Sequence, residues 1–167
     1  VIVGFIERAL NKPFFTFIHS AGKRGYDSMM EQLRREGVEN CAEQGFDVRS
    51  YIYDMPLVMS AADLIICRSG ASTLSELSFM GKPAILVPSP NVTNNHQEKN
   101  ARMLENAGAA TVLLESDCSA DTLFGHVSEL LQSPGKLEEM SAHMRETGFK
   151  DASDKIIQII FELTKQN

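Results

Sequence analysis

At 167 residues the chain is long enough for one domain with a sizeable core and too short for two. Its 43% hydrophobic and 23% charged residues are an ordinary globular composition, and a formal net charge of −6 excludes a broad nucleic-acid face, which needs a basic surface. No apolar run approaches the roughly eighteen residues of a membrane span, and no signal peptide opens the chain, since VIVGFIERAL carries Glu7 and Arg8 and lacks a basic leader and a cleavage site.

In chain order, Ile2, Phe5, Ile6, Ala9 and Leu10 share one helical face, so the chain starts on a helix. A doubly wound domain starts with a strand, a glycine-rich turn and then such a helix. No G-x-G-x-x-G lies near the start, and the sequence looks cut just after that element. FFTFI (14–18) reads as a strand. SAGKRG (20–25) lacks the G-x-x-x-x-G-K-[ST] spacing of a phosphate loop, so Lys23 and Arg24 belong to a solvated turn. Helix patterns at 26–36, 55–61, 71–80 and 96–106 then alternate with the short apolar runs VRSYI (48–52), LIIC (64–67), AILV (84–87) and TVLL (111–114).

This alternation implies βαβ units and a parallel sheet covered on both faces. The continuous apolar character of LIIC and AILV suits strands buried on both sides. Residues 119–167 read as wholly helical: a segment capped by Ser119 and ending before Pro134, then 136–147 and 154–166, all expected to pack back on the sheet. The expected fold class is α/β, a Rossmann-like parallel sheet flanked by helices, as one domain over 1–167.

Cys41, Cys67 and Cys118 form no C-x-x-C pair, which argues against a disulfide framework or zinc site and fits structural thiols in a reducing cytoplasm. His19, His126 and His143 show no metal-ligand spacing, and there is no H-E-x-x-H or G-x-S-x-G.

In open parallel sheets, ligands bind beyond the carboxyl ends of strands, where helix N-termini present unpaired amides and partial positive charge. LIICRSGASTLSEL is such a junction. Gly70 lets backbone approach a ligand, Ser69, Ser72 and Thr73 add hydroxyls, and Glu76 could accept bonds from vicinal sugar hydroxyls. The competing reading is structural: Thr73 to Glu76 fits a capping box, and Ser69 or Ser72 could be plain caps. Spacing alone puts capping ahead.

VPSPNVTNNHQEKNA (87–101) is a second candidate, with a helix starting near Asn95 and His96 and Gln97 in its first turn. Amide and imidazole groups suit hydroxyl-rich ligands because each both donates and accepts. A surface helix capped by Asn94 or Asn95 accounts for the pattern equally well. Around Ile52, strand-end backbone could read the edge of a planar base, or Tyr51 and Tyr53 could be half-buried packing.

IHSAGK, YIYDM, ADLIICRSGASTLSEL, GKPAILVPSP and NNHQEKNA, in this order over nearly the whole chain, resemble the MurG family. These are bacterial N-acetylglucosaminyltransferases that convert lipid I to lipid II in peptidoglycan synthesis. CRSGASTLSE followed about twenty residues later by HQEKNA is the specific part. The resemblance implies the C-terminal, donor-binding half of a two-domain GT-B enzyme that is peripheral on the inner face of the bacterial cell membrane.

By matching positions it implies that Ile52 backbone reads the uracil edge, with Tyr51 beside it. The nucleotide pocket would be Gly70, Ala71, Ser72, Thr73, Leu74, Ser75 and Glu76, with Ser72 and Thr73 at the diphosphate and Glu76 on the ribose. Gln97 and His96 would contact the N-acetylglucosamine hydroxyls. The partners implied are UDP-N-acetylglucosamine here and lipid I on an N-terminal half, which would also carry most of the membrane contact and the general base. No cofactor or metal is implied, and no catalytic residue is expected in this stretch.

The family's Gly-Gly-Ser-x-Gly loop, which should precede Val1, is absent, so the isolated chain should bind donor weakly and not catalyse transfer. Two other readings stay open. One is a self-standing donor-binding subunit, as in the two-subunit eukaryotic enzyme adding the second N-acetylglucosamine to dolichol diphosphate. The other is a non-enzymatic nucleotide-sugar-binding α/β domain.

Overall fold

The alternating periodicities become alternating elements. In a computed structural model describing residues 1–11, 14–148 and 152–164, helix α1 (Ile2–Leu10) leads to strand β1 (Phe17–Ser20), helix α2 (Tyr26–Arg35) and strand β2 (Phe46–Arg49). Then α3 (Met55–Ala61), β3 (Ile65–Cys67), α4 (Ala71–Met80), β4 (Ala84–Leu86), α5 (His96–Asn106) and β5 (Ala110–Val112) alternate. Helices α6 (Ala120–Leu131), α7 (Pro134–Glu146) and α8 (Ala152–Thr164) follow. The strand pairs β1–β2, β3–β4 and β4–β5 are all parallel. No helix among the described residues is long and apolar enough to cross a membrane.

The core explains the β4 run. Ala84, Ile85 and Leu86 are all fully buried, and successive side chains leave on opposite faces. Ile85 joins a cluster with Phe5, Ile6, Leu33, Phe46 and Leu123, while Ala84 and Leu86 join Leu77, Leu104 and Met144. A two-sided strand therefore holds helices on both faces. Each fully buried Leu or Ile contributes about 1.5–3 kcal/mol.

Three expectations are corrected. First, β1 and β2 do not coincide with the runs at 14–18 and 48–52. Phe15 is apolar because it fills an aromatic cluster, 6.0 Å from the Phe5 ring and 5.6 Å from Phe46, rather than joining a ladder. The ladder itself runs from Phe17 N–H on Gly45 C=O to Ala21 N–H on Arg49 C=O. Second, α7 starts at Pro134, with Ser133 as its N-cap, because proline's fixed φ and missing N–H suit a first helical position. Third, α6 and α7 pack back but α8 does not. Its Ile156, Ile157, Ile159, Ile160, Phe161 and Leu163 are 49–63% exposed. The end of the expected last helix, 165–166, lies outside the described residues. The expected Ser119 cap is present: its Oγ accepts from Thr122 N–H, whose hydroxyl accepts from Ser119 N–H.

The strands form two sheets, β1–β2 and β3–β4–β5. A cavity of about 1850 Å³ lies between them, lined on one side by Phe17 to Ser20 of β1 and on the other by Ile65 to Cys67 of β3.

Candidate functional site

The carboxyl end of β3 passes through Arg68, Ser69 and Gly70 into α4. The helix has Gly70 as its N-cap and no side-chain cap, and its first internal bond runs from Leu74 N–H to Gly70 C=O at 3.0 Å. The capping-box reading is therefore wrong: Thr73 and Glu76 lie inside the helix, and neither Ser69 nor Ser72 caps it. The amides of Ala71, Ser72 and Thr73 precede the first helical bond and form the donor end of the helix.

Gly70 needs no glycine for its own sake. Its backbone is ordinary extended chain (φ −70°, ψ 144°), and a Cβ there would meet nothing within 4 Å. Gly81 at the other end of α4 is the contrast, with φ 66° and Arg145 packed where a side chain would go. An uncrowded glycine thus directly precedes the unpaired amides, an arrangement that suits an approaching anion.

Along α4 the side chains divide. Leu74 is buried in the core, and exposed Ser75 turns its Oγ back to donate to Ala71 C=O at 3.0 Å. Ser72 and Glu76 are exposed and Thr73 is half-buried. Thr73 and Glu76 line the large cavity together with Ile52 and Arg68. Ile52 is buried and lies beyond Arg49, the last ladder residue of β2. Tyr51 and Tyr53 are not half-buried packing. They are 51% and 83% exposed, their rings meet edge-on at 4.8 Å, and Lys23 Nζ stands 5.7 Å from the Tyr51 ring.

The second candidate segment adjoins the first. Asn94 and Asn95 both take left-handed backbone, at φ 56° and 50°. Asn95 is the N-cap of α5, yet its side chain does not cap; its amide donates to the Glu98 carboxylate instead. Exposed His96 sets Nδ1 2.9 Å from Thr93 C=O. Gln97 Oε1 accepts from Ser89 N–H at 2.9 Å, which leaves the amide nitrogen as its donor end.

Three residues that tie these segments together were not singled out for that role in the sequence. Ser69, expected to offer a hydroxyl to a ligand, is fully buried and donates to Gln97 C=O at 2.8 Å. Asn100 Nδ2 donates to Ser69 C=O at 3.4 Å. Arg68 donates to Val87 and Pro88 C=O at 3.2 and 3.3 Å and pairs with Glu115. The available signal was that Arg68 and Ser69 directly follow a strand and Asn100 lies one turn after His96, but tertiary partners are invisible in spacing.

The thiols are free, and burial pushes Cys67 up to about 12, so it is no nucleophile at neutral pH. Burial also holds His19 below its ordinary value of 6.5. Among the described residues no cluster of three His, Cys, Asp or Glu could hold a metal. The groups gathered at the carboxyl ends of β3 and β4 are hydrogen-bonding groups: helix amides, a carboxylate, an amide and an imidazole.

A family model described as "Glycosyltransferase family 28 C-terminal domain" matches residues 5–156. The UDP-N-acetylglucosamine–N-acetylmuramyl-(pentapeptide) pyrophosphoryl-undecaprenol N-acetylglucosamine transferase of Oenococcus oeni is 41% identical over 99% of this chain, and the Bacillus cytotoxicus protein of that name is 38% identical over 96%. The chain spans 43% of the length of each. Among solved structures, Acinetobacter baumannii MurG superposes with a TM-score of 0.75 at 26% identity, covering 95% of this chain and 46% of that one. The glycotransferase of kitacinnamycin shares the fold, with a TM-score of 0.69 at 21% identity over 93% of this chain and 38% of its own.

Proposed function

This chain belongs to the glycosyltransferase family 28 C-terminal domain family, and on that premise we propose that it is the donor-binding half of an inverting GT-B N-acetylglucosaminyltransferase that acts in peptidoglycan synthesis. The observation that carries the reading is the start of α4: an uncapped helix whose N-cap is a glycine that neither backbone nor packing requires, at the carboxyl end of the parallel strand β3, which is half-buried rather than buried on both faces as the LIIC run suggested. Amides of Ala71, Ser72 and Thr73, with the hydroxyls of Ser72 and Thr73, meet the diphosphate of UDP-N-acetylglucosamine. Glu76 accepts from the ribose hydroxyls. Ile52 backbone faces the uracil edge, with Tyr51 beside it. His96 and the donor end of Gln97 meet the sugar. Gly70 supplies room, while Leu74 and Ser75 contribute main chain and helix support.

In the transfer, the C4 hydroxyl oxygen of the muramyl sugar of lipid I attacks the anomeric carbon. The bond to the diphosphate oxygen breaks with inversion, and the hydroxyl proton passes to a base on the acceptor-binding half. Negative charge grows on the departing diphosphate, and preorganised helix amides stabilise it; comparable oxyanion donors are worth about 2.7–4 kcal/mol each. The acceptor, the base and attachment to the inner membrane face belong to the other half. The domain is read as one Rossmann-like unit over 1–167.

UDP titration followed by amide NMR shifts tests the assignment. Perturbations at Ile52 and at Ala71 to Glu76 support it, and a response confined to other surfaces overturns it.

A further inference from the structure

Ser69 and Ser78 are the two buried polar side chains of the core among the described residues. They differ in what they bond. Ser78 Oγ, next to α7, meets the Thr147 hydroxyl at 2.8 Å, far along α4 from Gly70. Ser69, fully buried, immediately precedes Gly70 and donates to Gln97 C=O at 2.8 Å. The same residue's carbonyl receives Asn100 Nδ2 from one turn further along α5. Gln97 in turn fixes the β4–α5 loop by accepting from Ser89 N–H. The turn before α4 and the first turn of α5 are thus joined through one residue. A buried hydroxyl with a single geometry is a rigid link, because losing its partner leaves a carbonyl less well satisfied.

We propose that Ser69 is a positioning residue that sets the first turn of α5 against the first turn of α4, and so couples recognition of the sugar to recognition of the diphosphate. The inference rests on the donor-binding reading and goes beyond it: Ser69 touches no ligand. Nucleoside diphosphate alone uses the α4 end, whereas nucleotide sugar uses both ends. Removing the link therefore weakens the two ligands unequally. A hydroxyl that merely satisfied the core would weaken neither selectively.

The test is calorimetric titration of UDP and UDP-N-acetylglucosamine into wild type, Ser69→Ala and Ser78→Ala. Ser69→Ala lowers the ratio of sugar-nucleotide affinity to UDP affinity by about five- to tenfold, the size of one lost hydrogen bond. Ser78→Ala lowers the melting temperature and leaves the ratio unchanged. Ser69→Cys, similar in size with a weaker donor, falls between and carries the test if the alanine variant shows no cooperative melt. Amide exchange supplies a second readout: UDP slows exchange in residues 97–103 of wild type and not of Ser69→Ala. An unchanged ratio in both Ser69 variants, with wild type binding normally, overturns the inference alone. Absence of uridine-nucleotide binding by wild type overturns the donor reading and the inference with it.

Discussion

Arg68 and Glu115 pair across the carboxyl ends of β3 and β5, and the same guanidinium donates to Val87 and Pro88 C=O at the end of β4. One side chain therefore straps together the ends of β3, β4 and β5, the first two of which carry the candidate site. The two kinds of contact differ in worth. The ion pair is about half exposed and contributes roughly 0–1 kcal/mol, while bonds from a charged donor to main-chain carbonyls contribute about 1.5–3 kcal/mol before solvent discounts them. Arg68→Met is expected to cost about 1–2 kcal/mol and Glu115→Gln less than about 1 kcal/mol by denaturant unfolding. Equal losses in the two variants would show that the ion pair, not the carbonyl strap, carries the effect.

Glu76 separates function from stability. Because Glu76 caps nothing in this helix, Glu76→Gln leaves the melting temperature nearly unchanged. If it holds ribose hydroxyls, losing a charge-assisted acceptor weakens UDP about ten- to a hundredfold. Calorimetry and a thermal melt on the same sample decide it; a lowered melting temperature with intact UDP affinity reverses the assignment.

Gly70→Ala probes the open space directly. The backbone there suits any residue and nothing crowds the new methyl, so folding stability should stay within about 0.5 kcal/mol of wild type. The methyl enters the space assigned to the diphosphate, and UDP affinity should fall by about tenfold or more. Unchanged UDP affinity would place the anion elsewhere.

His19 gives a pH dependence of stability. Burial holds its pKa below 6.5, so the folded state favours the neutral imidazole. Between the folded and unfolded values the unfolded chain binds more protons, and stability present above about pH 6.5 is lost as pH falls through the folded value. The melting temperature should drop as pH falls below about 6.5, and His19→Gln should flatten that slope. Asp121, held below its ordinary carboxylate value of 3.8 by Arg8, titrates under this window. A slope unaltered in the variant would assign the effect to another group.

Legibility in the sequence followed the range of each interaction. The α4 start at Ala71 and the α6 cap at Ser119 were readable because local patterns set them. The 14–18 run misled because Phe15 answers to Phe5 and Phe46, distant in sequence. Thr73 to Glu76 matched a capping box that the helix does not use, since Gly70 already begins it. Ser69, Arg68 and Asn100 were unreadable as links because their partners are nineteen or more positions away. The apolar residues of α8 read as a packed helix, yet periodicity reports only that a face is apolar, not that something covers it.

The most direct measurement is calorimetric titration of the chain with UDP, UDP-N-acetylglucosamine and ADP under one buffer. The donor-binding account predicts saturable heats for both uridine nucleotides and an affinity for ADP weaker by about tenfold or more. Equal affinity for ADP, or no binding of either uridine nucleotide, would contradict it.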